Sequence, residues 1–260
     1  IKNGLKFYSF YLIDFLEKKN PKIIEIMSEI YKDLYQTFFQ NLEEIKKNDW
    51  EIHKKLVQEG MNNYEIAIAI QNDDKDKLQQ IVAQPKYNNV ELCKVEVPSS
   101  VYERCTFIDR KQTLIQYAAF FGSINCFKFL IMNDPKFAPN NFQVIENQDE
   151  QNEQDEQDND KKLNPFRNDP NYVNLAKYAV ASGNPEIIHI IEQKGCSFDD
   201  TLKFAFDYVH HDIFDWIRMN KYENSKQLPL SSFLTKCVHQ MQISLMIEML
   251  EENGIEFDKE

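Results

Sequence analysis

Helix-breaking residues are few in this 260-residue chain, which holds six glycines and nine prolines. Strict apolar–polar alternation, the mark of half-buried strands, is scarce as well, and both absences favour helices. No CxxC pair occurs among the five scattered cysteines, Cys93, Cys105, Cys126, Cys196 and Cys237. An odd set without metal-ligand spacing fits thiols buried as small hydrophobes in a reducing compartment. The most apolar early stretch, residues 7–16, is too short to span a bilayer and carries Asp14. No signal peptide is legible, so a cytoplasmic location is the expectation, with no membrane partner. A clustered Lys/Arg surface is missing and the formal net charge is −12, which weighs against a nucleic-acid partner. The chain begins with Ile1 rather than Met, and a longer parent protein is expected.

Catalytic patterns are missing too. The glycines are isolated, so no phosphate-cradling loop forms, and no Gly-x-Ser-x-Gly elbow occurs. His210 and His211 are adjacent, and on a helix their side chains diverge by about 100 degrees, a poor arrangement for a metal. With Asp212 they read as the exposed start of a helix. His189, between Ile188 and Ile190, reads as a solvent-edge residue, and Cys126 and Trp216 as core. The expectation is a protein that is not an enzyme, with no catalytic residue, cofactor, metal or small-molecule substrate.

What is present is apolar enough to fold: 42% of residues are hydrophobic and 13% aromatic. Residues 1–60 read as a non-repetitive helical region. Within it Ile23, Met27, Ile30, Leu34, Phe38, Leu42 and Ile45 recur every three to four residues, the spacing of one buried helix face. Pro21 suits a first helical turn. Residues 143–162 are almost wholly Asn, Gln, Asp and Glu, and 146–160 hold eight carboxylates and no base. Such a segment cannot bury apolar surface and reads as a solvated insertion.

Self-similarity is the strongest signal. One unit runs Thr113-Leu-Ile-Gln-Tyr-Ala-Ala-Phe-Phe-Gly122, then Ser123-Ile-Asn-Cys-Phe-Lys-Phe-Leu-Ile131. A second runs Leu175-Ala-Lys-Tyr-Ala-Val-Ala-Ser-Gly183, then Asn184-Pro-Glu-Ile-Ile-His-Ile-Ile191. A third joins Leu202-Lys-Phe-Ala-Phe-Asp-Tyr-Val209 to His210-His-Asp-Ile-Phe-Asp-Trp-Ile217. Weaker copies begin at Ile66 and at Cys237. Ala118, Ala179 and Ala205 let one helix approach the next unit closely. Gly122 and Gly183 supply a left-handed residue where the first helix stops. A single hairpin of this kind cannot cover its own apolar face, so units are stable only when stacked.

These residues resemble the ankyrin repeat, in which Leu-x-x-Ala-(Ala)-x-x-Gly is followed by an aliphatic pair and a closing Gly. The runs 105–108 (Cys105-Thr-Phe-Ile108), 113–132, 178–183 and 187–200 are similar to the divergent ankyrin-like families expanded in trichomonad flagellates. The resemblance covers residues 63–258. It implies an all-α, ankyrin-like solenoid of stacked helix-turn-helix units over 61–258, headed by an N-terminal helical cap and interrupted at about 143–162. The Thr-Pro-Leu-His opening of the family is replaced by Thr113-Leu-Ile-Gln116. Long connections after Gln84 and Pro135 interrupt the period.

The resemblance also implies a protein–protein interaction scaffold that binds through a concave face of first helices and through finger loops. An alternative is a structural component of a cytoskeletal or flagellar axonemal assembly, microtubule-associated. The positions carried over are the two before each turn: Gln71 and Asn72, Phe120 and Phe121, Ala181 and Ser182, Asp207 and Tyr208, Gln240 and Met241. In the clearest unit the finger comprises Asp109, Arg110 and Gln112. Phe120 and Phe121 stand out: adjacent aromatics at open positions either anchor an interface or are covered by the divergent N-terminal units or the long connection folding over them.

Overall fold

The computed structural model describes residues 8–88, 90–109, 112–133, 175–198 and 200–221, with positions 237, 247 and 250, and Cys93 by its backbone alone. Gln240, Met241, Arg110 and the acidic stretch 143–162 lie outside the described residues, as does most of the copy that begins at Cys237. Among the described residues every regular element is helical, joined by one isolated antiparallel bridge between Glu96 and Thr113. No helix among them is long and apolar enough to cross a membrane.

The N-terminal helices are α1 (Ile13–Lys19), α2 (Ile23–Tyr31), α3 (Gln36–Gln40), α4 (Leu42–Ile45) and α5 (Lys47–Glu59). The single helix expected over 23–45 is therefore cut into three pieces, at residues 32–35 and at Asn41. Ile30 stands 64% exposed instead of joining the buried face. Tertiary packing explains the breaks. Tyr31, Tyr35, Phe38 and Phe39 all gather on Phe10, with ring centroids 5.3 to 6.1 Å away. Aromatic pairs of this kind add about 0.5–1.5 kcal/mol each beyond area burial, enough to override a continuous helical period.

The start of α5 is unusual. Asn48, Asp49 and Trp50 all have left-handed backbone, with φ of 53°, 57° and 64°, a conformation that costs about 1–2 kcal/mol per residue. Lys18 and Lys54 hold Asp49 from either side. The turn delivers Trp50 into the core, where Nε1 donates to Glu17 at 3.3 Å. Gly60 ends α5 in the left-handed region at φ 65°.

Beyond it come helical pairs: α6 (Glu65–Gln71) with α7 (Lys75–Val82), and α8 (Leu114–Phe121) with α9 (Ile124–Met132). They are followed by α10 (Leu175–Ser182) with α11 (Pro185–Gln193), then α12 (Leu202–Asp207) and α13 (His211–Asn220). The first helices α6, α8, α10 and α12 pack side by side in that order, and α7, α9 and α11 do the same behind them. The chain divides into two compact units, Ile1–Phe214 and Asp215–Glu260. The second contains the end of α13, where Ile217 is buried and Trp216, expected in the core, is half-buried.

One register repeats through the pairs. Immediately before the second helix stand Asp74, Ser123, Asn184 and His210. The residue preceding each has positive φ: Asp73 51°, Gly122 67°, Gly183 72° and Val209 63°. Five positions before the same point lie Ala69, Ala118, Ala179 and Ala205, all at most 2% exposed. In three of the four turns the backbone N–H reaches back to that alanine's carbonyl: Asp74 to Ala69 (2.8 Å), Ser123 to Ala118 (3.0 Å) and His210 to Ala205 (2.8 Å). This six-residue closure with a left-handed residue inside it is the Schellman ending of a helix. In the remaining turn, Gly183 N–H bonds the Ala179 carbonyl and Asn184 N–H is taken by Ser182 Oγ.

Neighbouring units are tied at the same place. Ser123 Oγ donates to the Ile70 carbonyl, Asn184 Nδ2 to that of Gly122 (3.0 Å), and His210 Nε2 to that of Ala181 (3.0 Å). The carboxylate of Asp73 accepts from the N–H groups of Asn125 and Cys126, satisfying the start of α9 from the preceding unit. His210, read from the sequence as part of an exposed helix start, is thus half-buried and structural, while His211 and Asp212 are exposed.

Candidate interaction surface

The register places aromatic side chains at fixed heights on the first helices. Six positions before the residue that precedes the second helix (Asp74, Ser123, Asn184 or His210) lie Ile68, Tyr117, Tyr178 and Phe204, and two positions before it lie Asn72, Phe121, Ser182 and Tyr208. Four residues apart, these two positions sit over each other on a helix. Tyr117 and Phe121 accordingly meet at 4.7 Å.

Phe107, from the loop before α8, lies at the centre. Its ring stacks on Tyr178 at 4.6 Å and 19°, and lies 4.9 Å from Phe204, 5.9 Å from Phe120 and 6.3 Å from Tyr208. Phe120 and Phe121 meet edge to face at 5.3 Å, and Phe120 continues to Tyr208 at 5.7 Å. Tyr117 is wholly buried, whereas Phe107, Phe120, Phe121, Tyr178, Phe204 and Tyr208 are all half-buried. The result is one half-exposed aromatic face drawn from α8, α10, α12 and a loop.

Polar groups fix the loop beneath this face. Glu103, 7% exposed, accepts from Cys105 N–H at 3.0 Å and from Tyr117 Oη at 3.5 Å. Gln71 Nε2 donates to the same Tyr117 oxygen at 2.8 Å. Burial raises the Glu103 carboxyl above the usual carboxylate range and raises the Tyr117 and Tyr208 hydroxyls as well. Cys105 Sγ lies 3.5 Å from Tyr208 Oη. Away from the face, burial pushes the Cys126 thiol up to about 12 and that of Cys196 to about 11. Both side chains are core hydrophobes, not thiolates, at neutral pH.

The residues expected to meet a partner fare differently. Phe120, Phe121 and Tyr208 come together in the aromatic face. Asp207 is half-buried and pairs with Lys203 at 3.9 Å. Ser182 is half-buried and turns inward, its hydroxyl donating to the Ala179 carbonyl. Asp109, Gln112 and Ala181 are 5%, 6% and 4% exposed, which removes them from any docking surface. Gln112 instead donates to the Phe107 carbonyl at 3.3 Å and holds the loop that carries that ring. The finger is drawn inward because Phe107 gains more from four neighbouring rings than from solvent.

Tyr178 and Phe204 were legible as an aromatic recurring at one offset in successive copies, but the two positions nearest the turn drew the sequence reading away from them. Phe107 lies between the copies, in the run Cys105-Thr-Phe-Ile108 that shares the resemblance, but no periodicity singles it out as a contact residue. Comparison with protein-family models, with curated proteins and with solved structures found no match to this chain.

Proposed function

We propose that the chain is a degenerate ankyrin-type stack that acts as a protein–protein interaction module, with the aromatic face as its docking surface. The observation that carries this reading is the face itself. Six partly exposed aromatic side chains from three consecutive first helices and one loop form a continuous apolar area, and such areas on folded proteins mark binding sites. Aromatic residues also dominate interface hot spots, because they bring large contact area with few rotatable bonds. The repeated turn register, the alanine column and the ties between units support the ankyrin-type assignment.

The test is affinity capture from cells of the source organism with the wild-type chain and with Phe120→Ser and Phe204→Ser. Proteins retained by the wild type should be lost from both variants while each keeps the helical circular-dichroism spectrum and a cooperative melt, at a Tm lowered by the packing lost with the ring. Equal retention by well-folded variants, or a defined catalytic turnover by the purified chain, would overturn the reading.

A further inference from the structure

Residues 98–103 run between the N-terminal helices and the first repeat pairs, and buried groups hold them on both sides. Toward the helices, Tyr102 is 3% exposed and lies against His53, with Oη 3.3 Å from Nδ1 and the rings 5.6 Å apart. His53 is 1% exposed and is also flanked by Trp50 at 5.3 Å and Phe38 at 6.3 Å. Toward the repeat pairs, the next residue, Glu103, is seated against Tyr117, which Gln71 holds from α6. Asn62 Nδ2 fastens the Pro98 carbonyl at 2.8 Å.

The two sides respond oppositely to acid. Burial lowers the pKa of His53 below its ordinary 6.5, outweighing the attraction of Asp14 on α1 and the nearby carbonyls of Phe10 and Tyr11; Lys54 on its own helix lowers it further. The unfolded chain therefore takes up the proton first. The stability that neutral His53 contributes is present above pH 6.5 and is lost as pH falls through its folded value. Glu103 is raised above 4.5, by burial first and by the charge of Asp109 in lesser part, against the hydrogen bonds from Cys105, Asn62 and Tyr117. Its contribution is full below pH 4.5 and is lost as pH rises through the folded value, so acid favours its seating.

We propose that residues 98–103 form an acid-sensitive strap, in which protonation of His53 releases Tyr102 and loosens the N-terminal helices while Glu103 stays seated on the repeat pairs. Asp14 and the carbonyls of Phe10 and Tyr11 do not offset what an imidazolium loses by burial among Phe38, Trp50 and Tyr102, so once the proton is taken up that side opens to water. The device works at mildly acidic pH, where a histidine is the natural trigger.

The test uses the full chain with Trp216→Phe, so that Trp50 is the remaining tryptophan. Between about pH 8 and about pH 5 the Trp50 emission should shift to the red. Cys126, labelled with dithiodipyridine and read by peptide mass spectrometry, should stay closed over the same range. His53→Gln should abolish the red shift, and Glu103→Gln should retain it. No red shift, an equal shift in His53→Gln, or Cys126 opening in step with Trp50 would each overturn the proposal. Should His53→Gln fail to fold, the His53 imidazole is titrated by NMR in the unsubstituted chain. A value between about 5 and 6.5, with the Tyr102 ring resonances shifting alongside it, supports the strap; an ordinary value, a value below about 5, or Tyr102 resonances that stay fixed overturns it.

Discussion

The imidazole of His210 bonds the carbonyl oxygen of Ala181 at 3.0 Å and occupies the space beside Gly183 that a side chain would take. A Cβ built on Gly183 runs into the ring itself, whereas one on Gly122 meets Asn184 at 3.5 Å and Ser182 at 3.9 Å, both ordinary contacts. Both glycines have positive φ, so alanine costs about 1–2 kcal/mol at either from conformation alone. Gly183→Ala should lose more than that, because His210 must leave its carbonyl, and Gly122→Ala should lose no more. Urea denaturation of the two variants checks the ordering, and equal losses would refute it.

Asp73 occupies the same left-handed position without being glycine, and its carboxylate starts α9. Asp73→Ala keeps the strained φ and removes the cap, and should cost about 1–2 kcal/mol. Asp73→Gly relieves the backbone while losing the same cap, so it should be the milder change. Thermal melts of both variants decide this; a milder alanine would show that the left-handed backbone at residue 73 carries little strain.

Phe107 joins four aromatic rings from three helices. Full truncation of a buried Phe costs about 3–5 kcal/mol, and half-burial scales this to about 2 kcal/mol for Phe107→Ala. Phe107→Leu should recover part of the loss. A change below about 0.5 kcal/mol would mean that the loop rests on the face without holding it.

Glu103→Gln should flatten the pH dependence of stability without weakening the fold at neutral pH. The amide oxygen can still accept from Cys105 N–H, and its nitrogen can donate to Tyr117 Oη. In the wild type this residue's contribution declines as pH rises above 4.5 through the raised folded value. The difference between variant and wild type should therefore widen with pH in urea titrations. A variant that is less stable throughout would show that the carboxylate form is the one the site favours.

The thiols of Cys126 and Cys196, both buried and shifted upward, should resist a disulfide reagent at about pH 8 in the folded protein and react on unfolding. Peptide mapping reads each site separately. Rapid labelling of either in the native state would show that its helix opens locally.

The helical character, the paired units and the turn glycines were legible in the sequence because each follows from local chemistry. Small residues, left-handed positions and apolar periods are set by neighbours a few residues away. Ala118, Ala179 and Ala205 could be aligned for that reason, and Gly122 and Gly183 with them. Asp73 and Val209 stand in line with those glycines at the ends of their first helices, but the positive φ could not be read from a valine or from an aspartate alone, and the closed hydrogen bonds around them impose it. The break of the 23–45 period on Phe10, the inward turn of Asp109 and Gln112, and the placing of Phe107 among rings up to about a hundred residues further along the chain were decided by tertiary structure alone. Contacts between distant residues compete with local preference at a few kcal/mol, and where several aromatic rings converge the distant contacts win.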